Sequence, residues 1–143
     1  MLLPKILLLV FLVSGAQSLW PEDDPASYVG LTLTELIRRF GVPKSVSPSR
    51  GLEEWQDDVI FVYEQGNFYV FKDRVWQIGL RAAKNVVIGD TRSYISLVLG
   101  LRAVSRGNSV FYPLDEWPWP MMLRYDLDSA GKVEAIFIYR TDF

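Results

Sequence analysis

A chain of 143 residues, half of them apolar, is long enough to bury one core and too apolar to stay disordered. It contains no cysteine and no histidine, which excludes disulfides, thiolate chemistry, and the commonest general base and zinc ligand. A formal charge of −2 excludes the basic footprint that a nucleic-acid binder or a polybasic membrane-surface protein needs.

Residues 1–18 read as a cleavable signal peptide. Lys5 supplies the positive charge, Ile6 to Val13 form an unbroken apolar run, and Ala16-Gln17-Ser18 places small residues where a signal peptidase reads them. The run is far short of the roughly 20 residues of a membrane-spanning helix. Without cysteine, lipid attachment at the end of the signal is excluded. The mature chain then begins at Leu19, carries no transmembrane segment, and works in the periplasm or as a secreted protein. Once Lys5 is removed, 14 basic side chains face 17 acidic ones. Residues 19–28, with two prolines and three acids, read as an irregular lead-in.

The first α+β unit spans 29–85. Thr32 is an N-cap with Glu35 as its capping-box partner. Leu33, Leu36, Ile37 and Phe40 follow at helical spacing, which predicts a helix with Phe40 buried beneath a sheet. Gly41 is placed to end the helix at positive φ, Pro43 prevents continuation, and Arg38 and Arg39 suit its negative end. Residues 44–57 are polar and broken by Pro48 and Gly51, and read as a loop. Three strands follow at Val59–Tyr63, Phe68–Lys72 and Val75–Arg81, joined by turns at Glu64–Asn67 and Asp73-Arg74.

The second unit, 86–143, has the same plan. Gly89, Thr91, Ile95, Leu99 and Gly100 match Gly30, Thr32, Leu36, Phe40 and Gly41 at an offset of 59. Strands are expected at Ser109–Leu114, Met121–Leu127 and Lys132–Arg140, with Asp128-Ser129-Ala130-Gly131 as the last hairpin turn. Val133 and Ile136 match Val75 and Ile78 at an offset of 58. The expected fold is α+β: two tandem repeats, each a helix plus a three-stranded meander, forming one curved antiparallel sheet with both helices on one face.

The pattern Gly30-Leu31-Thr32 … Leu36 … Phe40-Gly41-Val42-Pro43, followed by Trp55 and a strand with Tyr63, resembles two related groups. One is the SmpA/OmlA group of small accessory lipoproteins of outer-membrane barrel assembly. The other is the β-lactamase-inhibitor-protein-like group, which carries the unit twice. Leu101-Arg102 departs from the pattern after Gly100, and both the lipobox cysteine and the inhibitors' disulfides are missing. The resemblance implies an exported, non-catalytic protein that binds other proteins through a sheet.

Candidate chemistry is sparse. Glu53, Glu54, Asp57 and Asp58 flank Trp55, but nothing sets one carboxylate apart from the others as a general acid, and they read as a solvated loop. Asp126-Leu-Asp128-Ser-Ala-Gly131 resembles the start of a calcium loop. Ala130 lacks an oxygen-bearing side chain and Phe137 stands where the bidentate Glu belongs, so it reads as a turn. No catalytic residue, metal ligand or cofactor is assigned.

The strands are apolar on both faces. Alternation puts Phe68 and Val70 opposite Tyr69 and Phe71, and Ile136 and Ile138 opposite Val133, Phe137 and Tyr139. Two helices can cover one face only, so the other requires a loop, a second copy or a partner. Trp117-Pro118-Trp119-Pro120 should be a loop or an irregular edge, which either folds onto the core or meets a partner. The candidate partner-binding residues are therefore Trp117, Trp119, Phe137 and Tyr139, with Tyr69 beside them. The alternative is a carbohydrate- or peptidoglycan-binding module using Trp117 and Trp119. A hydrolase using the acidic cluster is a third reading.

Overall fold

The computed structural model describes residues 24–51 and 58–143. The stretch 1–18 read as a signal peptide, most of the lead-in, and the stretch with Glu53, Glu54, Trp55 and Asp57 lie outside the described residues.

A short 3-10 turn, Pro25–Tyr28, leads into helix α1, Leu33–Phe40. The expected capping box is present: the Glu35 N–H donates to Thr32 Oγ1 (3.2 Å), and Glu35 Oε2 accepts the Thr32 N–H (2.8 Å). The Thr32 N–H and, after it, the Thr32 hydroxyl (2.9 Å), both donating to Oε2, hold the Glu35 carboxyl below its ordinary range. Gly41 closes the helix at φ 76°, its N–H donating to the Ile37 carbonyl. A β-branched residue could not adopt that φ without strain.

Leu36, rather than Phe40, is the fully buried residue of α1. The short helix lies across the sheet on Leu36, leaving Ile37 43% exposed and Phe40 half-buried. The Phe40 ring instead joins an aromatic cluster, with centroids 5.0 Å from Tyr28, 5.4 Å from Phe68 and 5.6 Å from Tyr63.

Four strands follow: β1 (Ser45–Ser49), β2 (Asp58–Val62), β3 (Asn67–Phe71) and β4 (Arg74–Leu80). A two-residue hairpin, β5 (Ala82–Ala83) and β6 (Val86–Val87), precedes helix α2 (Arg92–Leu99). Then come β7 (Val104–Arg106), β8 (Ser109–Leu114), β9 (Met121–Leu127) and β10 (Val133–Arg140). The main sheet has eight strands in the order β1-β2-β3-β4-β10-β9-β8-β7, every pair antiparallel. Leu36 of α1 and Ile95 of α2 share one core cluster with Phe68, Ile78, Leu123, Tyr125 and Ile136, so both helices cover the same face.

Each half therefore places four strands in the sheet, not three. The reading of 44–57 as loop missed β1 because Pro48 argues against a strand. Proline is tolerated here because β1 is an edge strand, with one side free of ladder bonds. The opposite edge, β7, has three exposed residues and no apolar alternation to reveal it. The turn between β3 and β4 falls one residue earlier than expected, at Lys72-Asp73 (φ 47° and 60°), the two positive angles that a tight hairpin requires. The last hairpin matches its reading: Asp128 Oδ1 accepts the N–H groups of Ala130 and Lys132 (2.9 Å each), and Gly131 sits at φ 75°. That carboxylate is engaged with the turn's own backbone.

The last strand of each half is anchored in the same way. Gly30 N–H donates to the Val75 carbonyl (2.7 Å) and Val75 N–H to the Leu31 carbonyl (2.8 Å). Gly89 N–H donates to the Val133 carbonyl and Val133 N–H to the Asp90 carbonyl, both at 2.8 Å. Both strands then bulge. Trp76 is the extra residue of β4 against β3, and Glu134 the extra residue of β10 against β9. A bulge puts one residue out of alternation. Val133 is consequently buried with Ile136 and Ile138, and does not share the face of Phe137 and Tyr139 as strict alternation had placed it.

Candidate functional site: the open face of the sheet

Strand register lines up two rows of side chains on the face turned away from the helices. One row runs Asn67, Gly79, Phe137, Arg124 and Phe111 across β3, β4, β10, β9 and β8. The next runs Ile60, Tyr69, Gln77, Tyr139 and Met122 across β2, β3, β4, β10 and β9. Three of the five sequence-derived candidates, Tyr69, Phe137 and Tyr139, thus sit together near the centre of the sheet.

The rings of Tyr69 and Phe137 meet edge to face at 6.3 Å, and the Phe137 ring lies over the space left by Gly79. Arg124 lies between the other two, its guanidinium carbon 4.8 Å from the Phe137 ring centroid and 5.6 Å from that of Tyr139. Asp126 on the same strand balances its charge, Nε to Oδ1 at 3.1 Å without a hydrogen bond between them, while Asp126 Oδ1 accepts from Ser109 Oγ (2.7 Å). Burial raises the pKa of both the Tyr69 and the Tyr139 hydroxyl, so each stays a neutral phenol at physiological pH. The patch therefore presents aromatic rings around a cation already neutralised by its neighbour.

The two tryptophans lie elsewhere. Trp117 is half-buried against the core cluster. Trp119, 37% exposed, covers Gly30, where an added Cβ would come within 3.0 Å of its ring. The Arg140 guanidinium stacks on the Trp119 ring at 4.8 Å. The tryptophan loop thus ties the second half of the chain to the turn before α1 and does not form one surface with Phe137 and Tyr139.

Sequence reasoning missed Trp76, Arg124 and Phe143. Trp76 Nε1 donates to Asp58 Oδ1 (2.9 Å), and the Phe143 ring stacks on it. The signal for Trp76 was present: Val75 and Ile78 stand three apart where unbroken alternation requires an even spacing. The role of Arg124 had no local signal, because it depends on rings contributed by β10. Among the described residues no group of three or more acidic side chains lies close enough together to hold a metal ion. Nor is any helix among them long and apolar enough to cross a membrane.

No family model matches the chain, and no curated protein does. Solved structures that match include an extracellular protein containing an SCP domain from Bacillus anthracis, at a TM-score of 0.53 and 14% identity, over 91% of this chain and 50% of that one. This chain therefore spans about half the length of that protein. A DUF4309 family protein, YjgB, from Bacillus subtilis aligns at a TM-score of 0.46 and 15% identity, over 77% of this chain and 78% of that one. That no family model matches, together with the likeness to the Bacillus anthracis protein, overturns the resemblance to the SmpA/OmlA and β-lactamase-inhibitor-protein-like groups. The residues that suggested it build a helix cap, one short helix and a closing glycine, local devices that recur in unrelated chains. The likeness to the Bacillus anthracis protein is one of fold: two helices on an eight-stranded, open antiparallel sheet.

Proposed function

We propose that this chain is an exported, non-catalytic protein-binding module whose contact surface is the open face of its sheet. The observation that carries the reading is the aromatic patch of Tyr69, Phe137 and Tyr139 around Arg124, with both helices on the other face. Aromatic and arginine side chains are the types enriched where proteins meet, because they bury large area at small conformational cost. Arg124 needs no charged ligand, since Asp126 accompanies it. The partner is another protein in the cell envelope or outside the cell.

A photo-crosslinking residue at position 139 tests this. It should trap a partner from the native envelope or medium, whereas the same residue at Leu97, exposed on α2, should not. Equal trapping at both positions would remove the open face from consideration.

Export rests on the leader-like residues 1–18, and it agrees with the extracellular origin of the Bacillus anthracis protein. Exported material should begin at Leu19 on N-terminal sequencing; a start at Met1 would refute the leader. We read the two halves as a tandem repeat, supported by the matching anchors at Gly30–Val75 and Gly89–Val133 and the matching bulges at Trp76 and Glu134. The carbohydrate-binding alternative draws less support, because Trp117 packs on the core and Trp119 on Gly30, so they offer no paired shelf for a sugar.

A further inference from the structure

Beyond β10 the chain turns back over the open face. Thr141 donates its N–H to the Pro120 carbonyl (3.0 Å). Asp142 then accepts two bonds from Arg140, from Nε and Nη2, each at 2.9 Å. This brings the Phe143 ring parallel to the Trp76 indole, centroids 6.4 Å apart at 11°, and edge-on to Phe71 at 6.1 Å. Trp76 is held independently of that ring. It is the bulge residue of β4, and its indole N–H is fixed on Asp58. A preorganised aromatic platform therefore exists, and a ring that is itself 48% exposed is laid on it.

We infer that Trp76 and Phe71 form a subsite for one aromatic side chain of a protein partner, and that Phe143 is an internal occupant which the partner's ring replaces. The inference rests on reading the open face as a protein contact, and it adds the chemistry of one contact residue and a means of regulation. The seated ring shows what the platform accepts: a planar group stacked on the indole with a second ring at its edge. Its tether is local: Asp142, 40% exposed, is held by Arg140 two residues back, and the same guanidinium lies 5.3 Å from the Phe143 ring. A partner's ring must therefore outcompete that cation contact as well as the stack. Displacing Phe143 would open a platform next to Tyr69, two residues along β3 on the same face.

The probe is N-acetyl-phenylalaninamide, titrated into the mature chain and followed by the indole N–H signal of Trp76, assigned with a Trp76→Phe variant. In Phe143→Ala the probe should shift that signal saturably and bind about three- to tenfold more tightly than in the unaltered chain, as expected for vacating one stacked and one edge contact. N-acetyl-leucinamide should bind Phe143→Ala more weakly than the aromatic probe. Equal affinity of the aromatic probe for the two proteins, or equal binding of the two probes, would overturn the subsite. The partner trapped at position 139 should also bind Phe143→Ala more tightly, and an unchanged affinity would refute Phe143 as its competitor. If the probe arm fails while crosslinking at 139 succeeds, the open-face reading survives without the subsite. If nothing is trapped at 139, that reading falls whatever the probe does.

Discussion

Phe68→Ala is expected to lower the unfolding free energy of the protein by about 3–5 kcal/mol, the cost of emptying a fully buried aromatic position. Phe68 has no solvent exposure. It stands second in β3, between Phe61 on β2 and Ile78 on β4. Its ring packs edge to face on Tyr63 at 5.6 Å, and on Phe40 at 5.4 Å and Tyr28 at 6.1 Å. Three elements meet there: the turn before α1, the end of α1 and the end of β2. A cavity at that point cannot be closed by the shift of one side chain. Phe40→Ala should cost clearly less, because solvent already reaches part of that ring and its removal opens a groove rather than a void. Urea denaturation of both variants checks the order. A Phe40→Ala loss equal to or larger than that of Phe68→Ala would show that the aromatic cluster is not organised around the strand.

Tyr139→Ala and Phe137→Ala are expected to weaken binding of the trapped partner by about 2 kcal/mol or more wherever either ring is a hot spot, roughly thirtyfold in affinity. Both residues lie in central rows of the sheet and stack on Arg124. Truncation removes ring area that would be desolvated in the complex and frees Arg124 to move. Their effect on stability should stay well below that of Phe68→Ala, since these rings face away from the core and remain partly exposed. Isothermal titration against the partner, alongside the same denaturation series, separates the two quantities. A large stability loss with unchanged affinity would mean that the open face is structural and that the contact lies elsewhere.

Much of the fold was legible because its signals are local. Thr32 with Glu35, and Gly41 after Phe40, place the ends of α1 without reference to any other part of the chain. Met121–Leu127 alternates cleanly between buried and half-buried residues, and its bounds were readable for that reason. β1 and β7 were not, because an edge strand's membership in a sheet is decided by the neighbour it pairs with. Nothing within Ser45–Ser49 or Val104–Arg106 encodes that neighbour. The bulges had a trace in the spacing of Val75 and Ile78 and of Val133 and Ile136, yet the face of each intervening residue depended on the register of the adjacent strand.

The candidate site divides along the same line. Apolarity on both faces of β3 and β10 is a property of sequence, and it was enough to bring out Tyr69, Phe137 and Tyr139. The composition of the chain alone removed thiol, imidazole and disulfide chemistry from consideration. Tertiary structure decided that Trp117 and Trp119 belong with the core and with Gly30, because a loop's direction is set by what it packs on. It also decided that Arg124 lies among the rings of β10 and that Phe143 returns to Trp76. Those contacts join residues far apart along the chain, and only the antiparallel pairing of β4 with β10 and of β10 with β9 brings them onto one surface.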